Sequence, residues 1–285
     1  MSRRYAKQTK THAETLTDDP LPEGAAAILA LLSRGEIELK GRLRWSSNAT
    51  FLVAVHPPGK KSPVKTKSHP GPIKAGAAED GSEDRADGRP MLAIYKPIKG
   101  ERPLWDFPRG LWKREVAAYQ LACALGWDIV PPTAARLDAP LGPGSLQYCV
   151  DTVADEHYFS LLEEPRHHEA LRRVATFDLI ANNADRKSGH CLLDRQGHIW
   201  AIDNGLCFHV EPKLRTVIWD FAGDRIEHDL LASLEPLTRS EVPPVITNLL
   251  DEEEIAALSA RAAAVFARGR FPEPSGDFSY PWPLV

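Results

Sequence analysis

Apolar and polar positions change their period several times along the chain, and each change marks an element. Residues 1 to 20 are polar and without period, which predicts a disordered tail. From Pro22 the run Pro-Glu-Gly-Ala-Ala-Ala-Ile-Leu-Ala-Leu-Leu-Ser-Arg-Gly has proline near its start, strong helix formers inside and Gly35 as a stop, so a short helix is predicted. Alternating, β-branched segments follow at Glu36 to Trp45 and Thr50 to His56. The residues between them, Ser46-Ser47-Asn48-Ala49, have tight-turn composition, which predicts a hairpin. Pro57 to Pro90 is rich in Pro, Gly, Ser and charge, basic in its first half and acidic in its second. With almost nothing apolar to bury, it reads as a disordered insertion.

Met91 to Pro97 returns to strand composition, and its final proline ends the pairing. Gly110 to Gly126 spaces Trp112, Val116, Tyr119 and Cys123 three and four apart, which is one helix face. Ser145 to Val150 reads as one more strand. Beyond it a long helix runs from about Pro165 through Leu171, Val174, Phe177 and Ala181, with His167 and His168 expected to be exposed on it. Two short strands, Cys191 to Asp194 and His198 to Asp203, are joined by the turn Arg195-Gln196-Gly197. Helical patterns cover Glu227 to Leu234 and Glu241 to Arg268, the second broken near Asp251. The Pro- and aromatic-rich stretch from Phe271 to Val285 is expected to pack on the surface. Strands and helices are segregated, so the pattern favours an α+β fold over a doubly wound sheet.

With 285 residues, 43% of them hydrophobic, the chain can bury a substantial core. Its formal charge of -4 offers nucleic acid or anionic lipid no general attraction, so neither is an expected partner. Cys123, Cys149, Cys191 and Cys207 lack the close spacing of a zinc or redox pair and read as reduced thiols. No secretion segment and no run of about 18 apolar residues is present, so no membrane span is expected and the expected location is cytoplasmic.

Candidate chemistry concentrates in Asn182-Asn-Ala-Asp185-Arg-Lys187-Ser-Gly-His190, between a helix and a hairpin, and in Ile202-Asp203-Asn204-Gly205, where the hairpin ends. Phosphoryl transfer needs a carboxylate for the attacking hydroxyl, a cation near the γ-phosphate and ligands for a bridging metal. These two segments carry all three kinds of group. A metal-hydrolase cluster of His190, His198, Asp203 and His209 is the poorer reading, because the spacing matches no single-face metal pattern. Lys213 and Arg215 read as a solvated basic loop.

Asp185-x-Lys187-x-x-His190 resembles the D-x-K-x-x-N catalytic loop of the protein-kinase-like superfamily, and Asp203-Asn204-Gly205 its metal-binding D-F-G. Phe177-Asp-Leu-Ile-Ala-Asn-Asn-Ala-Asp185-Arg is similar to the loop of HipA-type kinases and phosphoinositide kinases, in which the arginine follows the aspartate. The chain resembles an actinobacterial family related to phosphoinositide 3- and 4-kinases, strongly over residues 170 to 206 and more weakly over 42 to 120.

The resemblance implies a two-lobed atypical kinase fold: a small β-rich N-lobe over 21–150, interrupted at 57–90, and a mainly helical C-lobe over 151–285 with its catalytic loop at 182–190 and metal-binding segment at 202–205. ATP with Mg2+ would lie between the lobes, and the partner would be a hydroxyl-bearing acceptor. Asp185 would be the catalytic aspartate, Asn183 its loop partner, Lys187 the γ-phosphate contact and Asp203 the principal metal ligand. Lys96 on the third strand and Glu115 on the next helix would form the pair that holds the α- and β-phosphates. The turn at Ser46, Ser47 and Asn48 would offer N–H groups and hydroxyls to phosphates where other kinases use glycines. His190 stands where an asparagine is expected, which tunes the second metal position towards Mn2+. A nucleotide-binding regulator with little turnover is the alternative to an active phosphotransferase.

Because 57–90 has little apolar surface to contribute, replacing it with a short linker should leave the fold intact. Thermal unfolding of that deletion should show one cooperative transition near the parent temperature; loss of the transition would make the insertion structural.

Overall fold

A computed structural model of the chain describes residues 24–43, 48–59, 72–73 and 90–284. The helix-forming run becomes α1 (Ala25–Arg34), and the Gly35 N–H closes it on the Leu31 carbonyl. A Cβ at Gly35 would lie 2.7 Å from the Leu31 and His56 carbonyl oxygens, so glycine alone lets α1 turn directly into β1 (Glu36–Leu43). β1 pairs antiparallel with β2 (Phe51–His56), as the alternating pattern predicts, with one irregularity between Leu39 and Gly41.

The insertion departs from expectation. Its Pro72–Ile73 forms a two-residue strand, β3, parallel to Arg42 and Leu43 of β1. The free edge of β1 presents unpaired backbone groups, and a passing extended dipeptide satisfies some of them without needing an apolar face. Most of the remainder of 57–90 lies outside the described residues, as do Ser46 and Ser47.

β4 (Met91–Pro97), β5 (Thr133–Arg136) and β6 (Gly144–Tyr148) complete a sheet of order β3-β1-β2-β4-β6-β5. Two prolines precede β5 and conceal it in the sequence; at the sheet edge it pairs with β6, and Gln147 Nε2 donates to Thr133 Oγ1 at 2.9 Å. Strand alternation settles which way β4 faces. Met91, Ala93 and Tyr95 are buried with Leu32, Val53 and Leu146 beneath α1, which leaves Leu92, Ile94 and Lys96 on the opposite face.

After β4 the chain forms α2 (Trp112–Ala124), buried on nearly every side: Ala117, Ala118, Leu121 and Ala122 join the core of the helical lobe. That lobe contains α3 (Tyr158–Leu162), α4 (His168–Ala181), the hairpin β7 (Cys191–Leu193) with β8 (Ile199–Ala201), α5 (His228–Ser233), α6 (Glu235–Thr238), α7 (Pro244–Thr247) and α8 (Glu252–Arg268). Leu171, Val174, Phe177 and Ile180 of α4 lie at its centre. The predicted break at Asp251 is a capping box: Asp251 accepts from Glu254 N at 2.9 Å, and Glu254 accepts from Asp251 N at 3.1 Å.

His167 is not exposed. It is buried in the turn of Pro165–His167 that precedes α4, and His168 Nε2 lies 2.8 Å from the Leu162 carbonyl oxygen of α3, an element the sequence pattern missed. Among the described residues the four cysteines form no disulfide, and burial pushes the Cys191 thiol up to about 12. Among the described residues no helix is long and apolar enough to cross a membrane.

The pairing of β4 with β6 depends on Gly144, where a Cβ would meet the Lys96 carbonyl oxygen at 2.4 Å. Gly144→Ala should therefore destabilise the protein by about 1–3 kcal/mol through forced separation of the two strands. Gly189, around which a Cβ would meet nothing within 4 Å, is the control: Gly189→Ala should change stability by less than about 0.5 kcal/mol in the same urea titration.

Candidate active site

The catalytic-loop candidate begins where α4 ends. Asn182 takes a left-handed conformation (φ 53°) as the helix C-cap, which turns the chain away from the axis. Its side chain then organises the segment beyond the hairpin: Nδ2 donates to the carbonyl oxygens of His209 (2.9 Å) and Glu211 (2.7 Å), and Oδ1 accepts from Lys213 N at 2.8 Å.

Behind the loop lies a buried ion pair. Arg186 has no exposed surface, and its Nε and Nη2 donate to both oxygens of Asp178, a residue in the last turn of α4 and equally buried. Arg186 Nη1 also donates to the Ile202 carbonyl oxygen (2.6 Å) and Nη2 to Asn204 Oδ1 (2.8 Å). Asn183 Nδ2 donates to Asp178 at 3.0 Å, while its Oδ1 accepts from Asp185 N at 3.0 Å. Burial opposes the charge on Arg186, but Asp178 more than offsets it, so the guanidinium stays protonated. One charge pair thus ties the helix, the loop bearing Asp185 and the segment bearing Asp203 into a single unit. Sequence reasoning overlooked Asp178 and Asn204. The available signal was an aspartate among the apolar positions of α4, which needs a buried partner, followed eight residues later by an arginine.

On the cleft side the structure brings Lys96, Glu115, Asp203 and His190 together. Lys96 Nζ donates to Glu115 Oε1 and, at 2.8 Å, to Asp203 Oδ1. Glu115 Oε2 accepts from Asn204 N at 3.1 Å, so this carboxylate joins α2 to both β4 and the metal-binding candidate. A Cβ at Gly205 would come within 3.1 Å of Glu115 Oε1, which accounts for a glycine after Asn204. Burial works against the Lys96 charge, yet Asp203 and Glu115 outweigh it and hold the ammonium protonated. Lys96 in turn holds the Asp203 carboxyl well below the usual carboxylate range.

His190 Nε2 lies 3.4 Å from Asp203 Oδ2, and its Nδ1 lies 2.9 Å from the Asp185 carbonyl oxygen. The same Nδ1 lies 3.3 Å from the Lys187 N–H, which donates to it, and with Nδ1 as acceptor the Nε2–H is directed at the Asp203 carboxylate. Burial pushes the imidazole down to about 4, so it is neutral at pH 7. Asp185 pairs with Lys187 at 3.2 Å, and burial raises its carboxyl to about 6 against the pull of Lys187. Asp203 adopts φ 59°, a left-handed conformation uncommon outside glycine and asparagine, and its side chain is 49% exposed.

Other candidates are engaged elsewhere. Asn48 Oδ1 accepts from Arg102 N at 2.9 Å, which ties the β1–β2 turn to the chain beyond β4. His198 packs on Trp200 and reaches the Asp128 carbonyl oxygen, while His209 Nε2 meets that of Asp106. Among the described residues no three His, Cys, Asp or Glu side chains form a group that could hold a metal, so the hydrolase cluster is not assembled. Lys213 is not a solvated residue: its Nζ pairs with Asp106 at 3.1 Å.

No family model matches the chain. The Mycobacterium tuberculosis protein Rv2133c is 34% identical over 295 residues, a match covering 89% of this chain and 94% of the relative. Among solved structures, that of hydra Fam20 with sugar superposes with a TM-score of 0.50 at 14% identity, over 85% of this chain and 86% of its own. The Helicobacter pylori proinflammatory kinase CtkA gives a TM-score of 0.44 at 12% identity, over 84% and 94%. At these identities the likeness concerns fold alone, and the fold is α+β and of the atypical protein-kinase-like class.

Removing Arg186 strands the Asp178 carboxylate in the core. Arg186→Met should destabilise the protein by about 3–5 kcal/mol, whereas Lys187→Ala, which breaks a partly exposed pair, should cost no more than about 1 kcal/mol. Comparable urea midpoints for the two variants would show that the buried pair is not holding the loop.

Proposed function

The chain belongs to the same family as the mycobacterial protein Rv2133c, and from its kinase-like fold and the meeting of Lys96, Glu115 and Asp203 we propose that it is an ATP-dependent phosphotransferase acting on a hydroxyl. The observation that carries this reading is Lys96. A lysine from the sheet bridges a helix glutamate and an aspartate 107 residues further on, beside a loop bearing a second carboxylate. A structural ion pair would not require a left-handed, half-exposed aspartate as its partner.

In this reading Lys96, held by Glu115, binds the α- and β-phosphates of ATP. Asp203 and His190 are a donor pair that fits a divalent cation whose remaining positions are filled by phosphate oxygens and water, and imidazole nitrogen favours Mn2+ over Mg2+. That cation supplies neutralisation of the phosphate charge. Lys187 turns from Asp185 to the γ-phosphate, which frees the Asp185 carboxylate for the acceptor. As the acceptor oxygen bonds to the γ-phosphorus and the bond to the β-phosphate oxygen breaks, Asp185 takes the hydroxyl proton and ADP leaves. The Asn-x-Asp-Arg order around Asp185 supports an atypical loop of the HipA and phosphoinositide-kinase kind. Because the hydra Fam20 structure was determined with sugar, saccharides belong among the acceptors to be screened, beside lipids and proteins.

His190 in place of an asparagine favours a second reading, a nucleotide-binding regulator with little turnover. Changing each site residue in turn separates the two. Lys96→Met should weaken ATP binding in a chain that still unfolds cooperatively. Asp203→Asn should abolish the dependence of ATP binding on divalent cation, and turnover with it. Asp185→Asn should retain ATP affinity and lose transfer by about 100-fold or more. Calorimetric titration with and without metal, run beside γ-phosphate transfer, checks all three; wild-type turnover in Asp185→Asn would leave the regulator.

A further inference from the structure

Between Lys96 and Glu115 the chain makes a loop, 101–110, that no part of the proposed chemistry uses. Its stem is closed by Glu101, whose carboxylate accepts from the N–H groups of Gly110 (2.8 Å) and Trp112 (3.4 Å) at the start of α2. Its tip reaches the other lobe. The Asp106 carboxylate pairs with Lys213 at 3.1 Å, and its carbonyl oxygen lies 2.8 Å from His209 Nε2. Phe107 is buried with Leu111, Ala184 and Leu206, stands edge-on to His209 with ring centroids 5.0 Å apart, and lies under the Arg114 guanidinium at 5.5 Å.

The positions of those partners decide what the loop can do. Ala184 directly precedes Asp185, and Leu206 follows Asp203-Asn204-Gly205; the two are joined by the Ala184 N–H to the Leu206 carbonyl at 3.0 Å. Phe107 therefore rests on the junction between the catalytic-loop and metal-segment candidates, while the ends of its loop continue into the elements that carry Lys96 and Glu115. Lys213 is doubly engaged, by Asp106 and by the Trp105 ring 5.1 Å from its Nζ, and its own N–H is held by Asn182.

We infer that Phe107 and Asp106 are positioning residues: they fix the separation of the two lobes so that Glu115 stays within reach of the Asn204 N–H and Lys96 within reach of Asp203. A second tie exists, because Arg114 Nε donates to the Cys207 carbonyl oxygen and its Nη2 pairs with Glu254 of α8. Arg114 and the loop both anchor the first turn of α2, where Glu115 sits, and the loop alone also continues back to β4.

The test is made on the full chain without nucleotide, with exchange of the Asn204 amide proton followed by NMR. Phe107→Ala should accelerate that exchange by about tenfold or more, because the Glu115 acceptor is released by local opening. Exchange in the middle of α8 should not change, and Phe107→Leu, which keeps an apolar side chain, should restore most of the protection. Asp106→Asn should accelerate Asn204 severalfold and carries the comparison if Phe107→Ala does not fold. Unchanged Asn204 exchange in a folded Phe107→Ala or Asp106→Asn, or equal acceleration throughout α8, would overturn the inference. A kinetic arm rests on the phosphotransferase reading: kcat/KM for ATP should fall about tenfold in Phe107→Ala and recover in Phe107→Leu. A wild-type chain that turns over no ATP defeats that reading, while the exchange comparison still decides the role of the loop.

Discussion

A guanidinium and a carboxylate with almost no access to water hold the centre of this molecule together. The loop carrying Asp185 and the turn carrying Asp203 are both fastened to Arg186 and Asp178. A buried ion pair is a poor way to gain stability, since desolvating two charges consumes most of their attraction. What it confers is uniqueness. Each hydrogen-bonding site on the pair is directed at a specific partner, and any other arrangement of the loop would leave a charge unpaired in the core.

Around this rigid base the contacts grow progressively more adjustable. His190 meets the Asp185 carbonyl through one nitrogen and the half-exposed Asp203 through the other. Asp203 is half-exposed and paired with Lys96, a lysine from the sheet, and that pair shares no atom with Arg186 or Asp178. The left-handed conformation of Asp203 and the desolvation of Asp185 occur close together, beside the buried pair that fixes the surrounding backbone.

The link between the lobes has a different character. Glu115 is nearly buried, and it connects three elements by itself: β4 through Lys96, α2 through its backbone, and the metal segment through Asn204. Buried carboxylates need partners on every side, which makes this residue sensitive to any shift of α2. The loop 101–110, closed by Glu101 at the start of the helix, and Arg114, held by the Cys207 carbonyl, both restrain that shift.

Much of the fold could be read from local pattern. Strand composition marked Met91–Pro97, with Lys96 on it, and the break expected near Asp251 falls where α8 starts at Glu252. The pairing of Asp185 and Asp203 around a small hairpin was also legible, because helix, loop and hairpin are contiguous and their spacing is local. Partner choice was not legible. Nothing in the sequence said that Asn48 would tie to Arg102, that Lys213 would be held by Asp106, or that His167 would be buried; β5 and the two-residue β3 exist only because β6 and β1 present edges to them. By itself the sequence determined where helices and strands form and which residues carry reactive groups, since these follow from periodicity and side-chain chemistry along a few turns of chain. Which charges are buried together, and hence that Arg186 pairs with Asp178 in the core while Lys96 meets Glu115 and the half-exposed Asp203, was decided by tertiary packing, because burial and ion pairing depend on residues far apart in sequence meeting in a low-dielectric interior.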